Sequence, residues 1–261
     1  MANKNKVIKE IIIPYDQNSA ERPLVLEVRN LNAWYRNGKL KKTLQQYLFD
    51  INFVLYQGEI LGLVGESGSG KSTLAKSVLG MIPDIEGEII HHTKRPQMVF
   101  QDPASSLNPS RSIGWILSEP LRVYGKYDEP EIRSRVLDIL DLIGLGESFY
   151  DRMPSQLSGG QKQRVCIGVA VIQKPGLIVC DEAVSALDVT IQAQILELIR
   201  KLRDEYGISY LFISHDLNVV YQICDRALVM KRGHVVEQGT VDELFDNPKE
   251  EYTKQLIKAA E

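Results

Sequence analysis

The chain reads as an α/β fold: a parallel-sheet core that follows an antiparallel β segment and carries an inserted helical segment. Three observations predict it. The amphipathic run 191–206 lies between the apolar stretches 177–179 and 208–213, and strand, helix, strand in that order implies parallel strands joined by a crossover helix. A glycine-rich run, 65–73, directly follows the apolar stretch 59–64, as at a strand-to-helix turn. Between these regions, 113–145 changes character, with helical spacing at Ile132, Val136, Ile139, Leu140 and Ile143 and charges between them.

In chain order, residues 1–23 are polar, with Asp16-Gln17-Asn18-Ser19 and Glu21-Arg22-Pro23, and read as a flexible lead-in. One domain is expected over 24–261. The stretches Leu24-Val25-Leu26-Glu27-Val28 and Phe49-Asp50-Ile51-Asn52-Phe53-Val54-Leu55 show period-two or continuous apolar character around the polar segment 36–42, which predicts an antiparallel pair. The helical subdomain is expected over about 102–168, inserted in the core. Beyond Asp225, Ala227-Leu228-Val229-Met230 and His234-Val235-Val236-Glu237 flank Arg232-Gly233, a hairpin signal, and two short helices around Leu244 and Leu256 finish the chain. His91-His92 sits in a strand pattern where neighbours point to opposite faces, so the two read as surface residues rather than a metal pair. No internal repeat or low-complexity segment is present.

Composition narrows the function class. A 261-residue chain that is 44% hydrophobic and 25% charged can bury a sizeable core. With a formal net charge of -3 there is no broad basic field, so nucleic acid is not an expected partner. Cys166, Cys180 and Cys224 are widely spaced in apolar surroundings and read as reduced core residues of a cytosolic protein. No run approaches the roughly 18 apolar residues of a membrane-spanning helix, and Ile11-Ile12-Ile13-Pro14 is too short for a secretory signal. A cytoplasmic protein docked to a membrane component fits these features.

The run Gly65-Glu66-Ser67-Gly68-Ser69-Gly70-Lys71-Ser72-Thr73 has the G-x-x-x-x-G-K-[ST] spacing of a phosphate-binding P-loop. Glycines let successive N–H groups turn toward phosphates, Lys71 reaches the β- and γ-phosphates, and Ser72 offers a hydroxyl to Mg²⁺. The helix expected to begin near Lys71 points its positive end at the same anion. A nucleoside triphosphate is the ligand this motif implies. Leu177-Ile178-Val179-Cys180-Asp181 is an apolar strand ending in an acid suited to the metal side, and Glu182, next in line, can take a proton from an attacking water. Gln101 follows the strand-like Met98-Val99-Phe100, where its amide would lie beside metal and water. Leu157-Ser158-Gly159-Gly160-Gln161 precedes a helix-like run and forms a second glycine-assisted helix start. His215 follows Tyr210-Leu211-Phe212-Ile213-Ser214, where an imidazole could bond the γ-phosphate.

In this order the residues resemble the ATP-binding subunit of an ABC (ATP-binding cassette) transporter, over about 24–260. The resemblance implies a P-loop NTPase fold with a RecA-like parallel core, an N-terminal antiparallel β subdomain and the inserted helical subdomain. It makes 65–73 Walker A, Gln101 the Q-loop glutamine, Leu157 to Gln161 the signature motif, and 177–181 Walker B with Glu182 as catalytic base. Ser185-Ala186-Leu187-Asp188 matches the D-loop, His215 the switch histidine, and Tyr35 the aromatic that stacks on adenine, with Trp34 as its rival. The metal side is then Ser72, Gln101 and Asp181. ATP and Mg²⁺ are the implied ligands. The family also implies two cassettes facing head to tail, each ATP held between one chain's P-loop and the other's signature loop.

Phe100-Gln101-Asp102-Pro103-Ala104-Ser105-Ser106-Leu107-Asn108-Pro109 and 185–194 are similar to the oligopeptide, dipeptide and nickel importer ATPases, with Val184-Ser185-Ala186 closer to the second ATPase of such importers. Implied partners are a related ATPase subunit, with a heterodimer expected and a homodimer left open, two transmembrane permease subunits and an extracytoplasmic solute-binding protein. The implied location is the cytoplasmic face of the membrane. Ala183 stands where the family usually has proline, and the segment 87–97 is shorter than usual. The chain ends at Glu261 without the cysteine-containing extension common in peptide-importer ATPases, which keeps nickel or a metal complex open beside peptides. The alternative reading is a cassette ATPase of a soluble assembly in translation, repair or phosphonate processing.

Overall fold

The computed structural model describes residues 8–10, 22–37 and 43–259. The chain runs through β1 (Ile8–Glu10), β2 (Leu24–Asn37), β3 (Thr43–Tyr56) and β4 (Ile60–Val64) to α1 (Lys71–Val78), then β5 (Asp84–His91) and β6 (Gln97–Val99). The helical insertion is α2 (Pro103–Ser106), α3 (Ile113–Tyr124), α4 (Glu129–Leu142) and α5 (Gly159–Val171). There follow β7 (Leu177–Asp181), α6 (Val189–Tyr206), β8 (Ser209–Ile213), α7 (Leu217–Ile223), β9 (Arg226–Lys231), β10 (His234–Thr240), α8 (Val241–Asp246) and α9 (Glu251–Lys258).

Two sheets form. The larger has the order β10-β9-β4-β8-β7-β6, all neighbours parallel except the β9–β10 hairpin. Its central strands are continuous apolar runs because both faces are covered, and every residue of β4 and β8 is buried. Side chains alternate between two cores. Tyr210 and Phe212 of β8 join the helical insertion, α6 and α7, while Leu211 and Ile213 face α1 and the smaller sheet. That smaller sheet has the order β1-β5-β2-β3, and β2 pairs antiparallel with both β3 and β5, as expected of the segment before the P-loop. Helix α1 is gripped between the sheets by Leu74, Ala75 and Val78, so the loop preceding it is held by both layers. At the β9–β10 turn Arg232 and Gly233 have φ of 47° and 83°, the left-handed pair of a tight hairpin.

Two expectations change. The histidine pair is not on the surface: His91 is 2% exposed, because β5 lies inside its sheet and α1 covers it, and its Nε2 donates to the Val78 carbonyl at 2.9 Å. His92 keeps only 13% of its side chain exposed. Most of 1–23, expected to be a flexible lead-in, lies outside the described residues, but Ile8–Glu10 forms a strand parallel to Ile89–His91 along the edge of β5. The three cysteines are buried as expected, and burial pushes the Cys166 and Cys180 thiols up to about 12.

Candidate active site

The parallel strands deliver their C-terminal ends to one edge, and register decides which residues meet there. Val99, Cys180, Phe212 and Gly62 stand in one row across β6, β7, β8 and β4. Gln101, Glu182 and Ser214 each lie two residues past that row, and Gly65 and His215 three. Residues spread over the chain from Gly65 to His215 therefore converge because four strands share a register.

The phosphate-type loop begins where β4 ends. Gly65 packs so closely on the end of β9 that a Cβ there would stand 2.2 Å from the Met230 carbonyl oxygen, which excludes any side chain. Helix α1 starts from Gly70 at φ 110° with no side chain capping it, so its first-turn N–H groups have no competing acceptor from the protein's side chains. Lys71 is buried, and its Nζ donates to the carbonyls of Gly65 at 2.7 Å and Glu66 at 2.9 Å, curling the loop around the ammonium. Burial pulls its pKa below the usual lysine range, against Glu182, Asp181 and Glu66, which favour the charge. Ser69 is buried, whereas Glu66, Ser67 and Gly68 form an exposed outer limb.

Beside the loop, Ser72 Oγ donates to Asp181 Oδ1 at 3.1 Å, joining the loop's hydroxyl to the acid ending β7. Burial raises the Asp181 carboxyl above its ordinary value, and the Ser72 hydrogen bond works against that rise. A hydroxyl and a carboxylate are the small hard-oxygen set that Mg²⁺ takes from a protein when phosphates and water complete its shell. The donor set fits such an ion. Glu182, at φ 51°, turns away from the strand, and its Oε2 accepts from Gln101 Nε2 at 2.9 Å and lies 3.4 Å from His215 Nδ1. Ala183 leaves this turn intact, since Ser185 N–H and Oγ both donate to the Glu182 carbonyl, at 3.2 and 3.0 Å. Tyr35 packs edge-on against Tyr47, centroids 5.0 Å apart at 87°, and the Tyr47 carbonyl borders Gly70. Tyr35 is thus tied to the loop's surroundings through Tyr47.

The signature segment sits elsewhere. Ser158 caps α5, its hydroxyl accepting from Gln161 N–H at 3.3 Å while Gln161 Oε1 accepts from Ser158 N–H at 3.0 Å. Leu157 is buried, Ser158 and Gly159 are exposed, and a Cβ on Gly160 would stand 2.4 Å from Ile191 Cγ2. Asp188 caps α6 by accepting the Ile191 N–H at 3.0 Å, so the contact at Ile191 locks signature and D-loop segments together. Among the described residues no hydrogen bond or ion pair joins 157–161 to 65–73.

A family profile described as "ABC transporter" matches residues 48–185. The oligopeptide transport ATP-binding protein OppF of Escherichia coli is 43% identical over 261 aligned residues, covering 91% of this chain and 78% of that protein. The chain belongs to the ABC transporter family. The dipeptide transport ATP-binding protein DppF of Haemophilus influenzae is 40% identical, with 92% of this chain and 79% of that protein covered. Among solved structures, cbiO1 of Clostridium perfringens, part of an ABC transporter complex, superimposes with a TM-score of 0.74 at 31% identity, over 87% of this chain and 92% of that one. An ATP-binding cassette dimer bound to ADP and phosphate does so with a TM-score of 0.70 at 29% identity, over 83% and 98%. This family member is an ATP-binding cassette ATPase with the expected α/β fold, and among its described residues no helix is long and apolar enough to cross a membrane.

Sequence reading missed the groups that strap the cassette's P-loop from the C-terminal side. Gly233 N–H donates to the Ser69 carbonyl at 2.8 Å, and Glu66 N–H donates to the Tyr252 hydroxyl at 3.1 Å. Neither carries a local signal, since both contacts span more than half the chain.

Proposed function

We propose that this chain is the ATP-hydrolysing subunit of an importer complex, at the cytoplasmic face of the membrane, that takes up peptides. The observation that carries it is the meeting of Gln101 and His215 on one oxygen of Glu182, next to the Ser72–Asp181 pair. In this reading the P-loop amides and Lys71 hold the β- and γ-phosphates, and Tyr35 stacks on the adenine. Ser72, Asp181 and Gln101 hold Mg²⁺, which supplies charge neutralisation at the phosphates. Glu182 accepts a proton from the water that attacks the γ-phosphorus as the bond to the leaving ADP oxygen breaks, a role worth about 10²- to 10⁴-fold in rate. Gln101 orients Glu182 and that water, and His215 donates to the γ-phosphate.

The exposed Ser158 and Gly159 are the surface a second cassette's nucleotide would meet, with Asp188 alongside. Support for a paired arrangement comes from the related dimer bound to ADP and phosphate. Peptide uptake is favoured over a nickel complex by the oligopeptide and dipeptide relatives and by a glutathione import ATP-binding protein, GsiA, of Pectobacterium atrosepticum, 39% identical. A groove of about 460 Å³ between β6 and the helical insertion, lined by Met98, Phe100, Leu107 and Ile116 together with Asn108 and Glu119, adjoins Gln101 and suits a permease segment. Mild-detergent purification of the Glu182→Gln chain from its native membrane with Mg-ATP tests the reading. Two permeases, a second cassette and a solute-binding protein should co-purify; recovery with ribosomes, DNA or soluble enzymes alone would reject the importer.

A further inference from the structure

The C-terminal hairpin and helix form a collar on the P-loop. The turn of β9–β10 contributes the Gly233 N–H to Ser69, and β10 carries Glu237, whose two carboxylate oxygens accept the N–H groups of Lys249 at 2.7 Å and Glu250 at 3.1 Å. Burial would raise the Glu237 carboxyl, yet the Thr253 side chain and, after it, these two N–H groups hold it below its ordinary value. That anion sits at the start of α9, where the helix favours negative charge, and so fixes where the helix begins. One residue into α9, Tyr252 is 6% exposed, its ring lies 4.4 Å from Lys231 Nζ, and its hydroxyl accepts the Glu66 N–H.

We propose that Tyr252 is a positioning residue of the P-loop, its hydroxyl holding the exposed outer limb at Glu66 so that the phosphate cradle is formed before nucleotide arrives. The inference rests on reading 65–73 as that cradle. Within 65–73 the exposed residues are Glu66, Ser67, Gly68 and Ser72, and a Cβ added at Gly68 would meet nothing within 4 Å. Such a limb loses its freedom on binding unless something has already ordered it, and a preformed site avoids that cost. Tyr252 anchors the limb from outside, at an amide before the helix start, so it does not compete with phosphate for the α1 amides.

The test uses the full chain with Mg²⁺ and a fluorescent ADP analogue. Tyr252→Phe keeps the ring against Lys231 and removes only the hydroxyl. Its Kd should rise about three- to tenfold, the size of one hydrogen bond lost from the bound geometry, with thermal stability unmoved. Deuterium exchange in the peptide containing Glu66 should quicken, and in the assembled transporter KM for ATP should carry the greater part of the loss. Glu237→Gln should shift Kd the same way by less. Unchanged Kd and exchange in Tyr252→Phe, beside a Lys71→Ala control that binds poorly, would overturn the role of Tyr252 alone. Normal binding by Lys71→Ala would overturn the cradle itself. A Kd change in Glu237→Gln without one in Tyr252→Phe would assign the effect to the helix and reject the hydroxyl.

Discussion

Two helices in this chain start from glycine-rich segments, α1 after Gly70 and α5 at Gly159, and they treat their first-turn amides in opposite ways. At α1 no side chain caps the helix, Lys71 is buried beneath the loop, and Asp181, Gly233 and Tyr252 bind the loop from three directions. At α5 the helix caps itself through Ser158 and Gln161, and of its first two glycines Gly159 faces solvent and Gly160 the start of α6. The first loop is braced by its own chain while its helix amides are left without a side-chain cap. The second satisfies its own first-turn amides and presents Ser158 and Gly159 to solvent. Equal local chemistry therefore acquires unequal roles from what the tertiary structure packs around it.

Breaking each side separately sharpens that contrast. The largest effect is expected for Glu182→Gln, which removes the acceptor for the water's proton: turnover of the assembled complex should fall about 10²- to 10⁴-fold while nucleotide binding survives, and unchanged phosphate release would remove Glu182 from that role. Lys71→Ala deletes the buried ammonium and should weaken Mg-ATP binding by about 10- to 100-fold in the isolated chain, measured by calorimetry.

The signature side should behave in the reverse manner. Gly159 has nothing within 4 Å of an added Cβ, so Gly159→Ala should leave the isolated chain's stability and nucleotide affinity alone. It should nevertheless cut turnover of the assembled complex by about tenfold, because the methyl group crowds whatever docks there in trans. Full turnover would mean that this surface receives no nucleotide. Gly160→Ala, by contrast, must push Ile191 aside and should also lower the melting temperature.

The smallest effect on nucleotide is expected at the far edge of the sheet. Glu59 is 1% exposed, and Arg226 Nη1 donates to it at 2.9 Å. Arg226→Ala should cost about 2–3 kcal/mol in urea unfolding, at the low end for a broken buried pair because the arginine is partly exposed, with nucleotide affinity unchanged. Burial raises the Glu59 pKa in the folded state, so the folded chain holds that proton more tightly than the unfolded chain. Stability is then lost as pH rises from the ordinary carboxylate value through the raised one. Without Arg226 the pKa rises further, and the variant's deficit should shrink in acid and grow toward neutrality. A deficit independent of pH would assign the loss to packing alone.

Much of this was legible before any coordinates. A P-loop is short-range, and strand 177–181 ending in two acids is visible once that loop is known. The burial of His91 was not legible, because alternation within a strand says which faces two residues take but not whether a helix covers one of them; here α1 does. Nor was the Tyr252 contact, since no spacing rule links residues 66 and 252.

Most of the strands and helices and the family could be read from the chain alone, because they depend on periodicity and on motifs closed within a few residues. Tertiary structure alone decided that Gln101, His215 and Glu182 share one oxygen, that the P-loop is strapped from the C-terminal side, and that the signature loop stands apart. Those outcomes depend on strand register and on helices packing across the sheet, and neither is encoded in any local stretch of the chain.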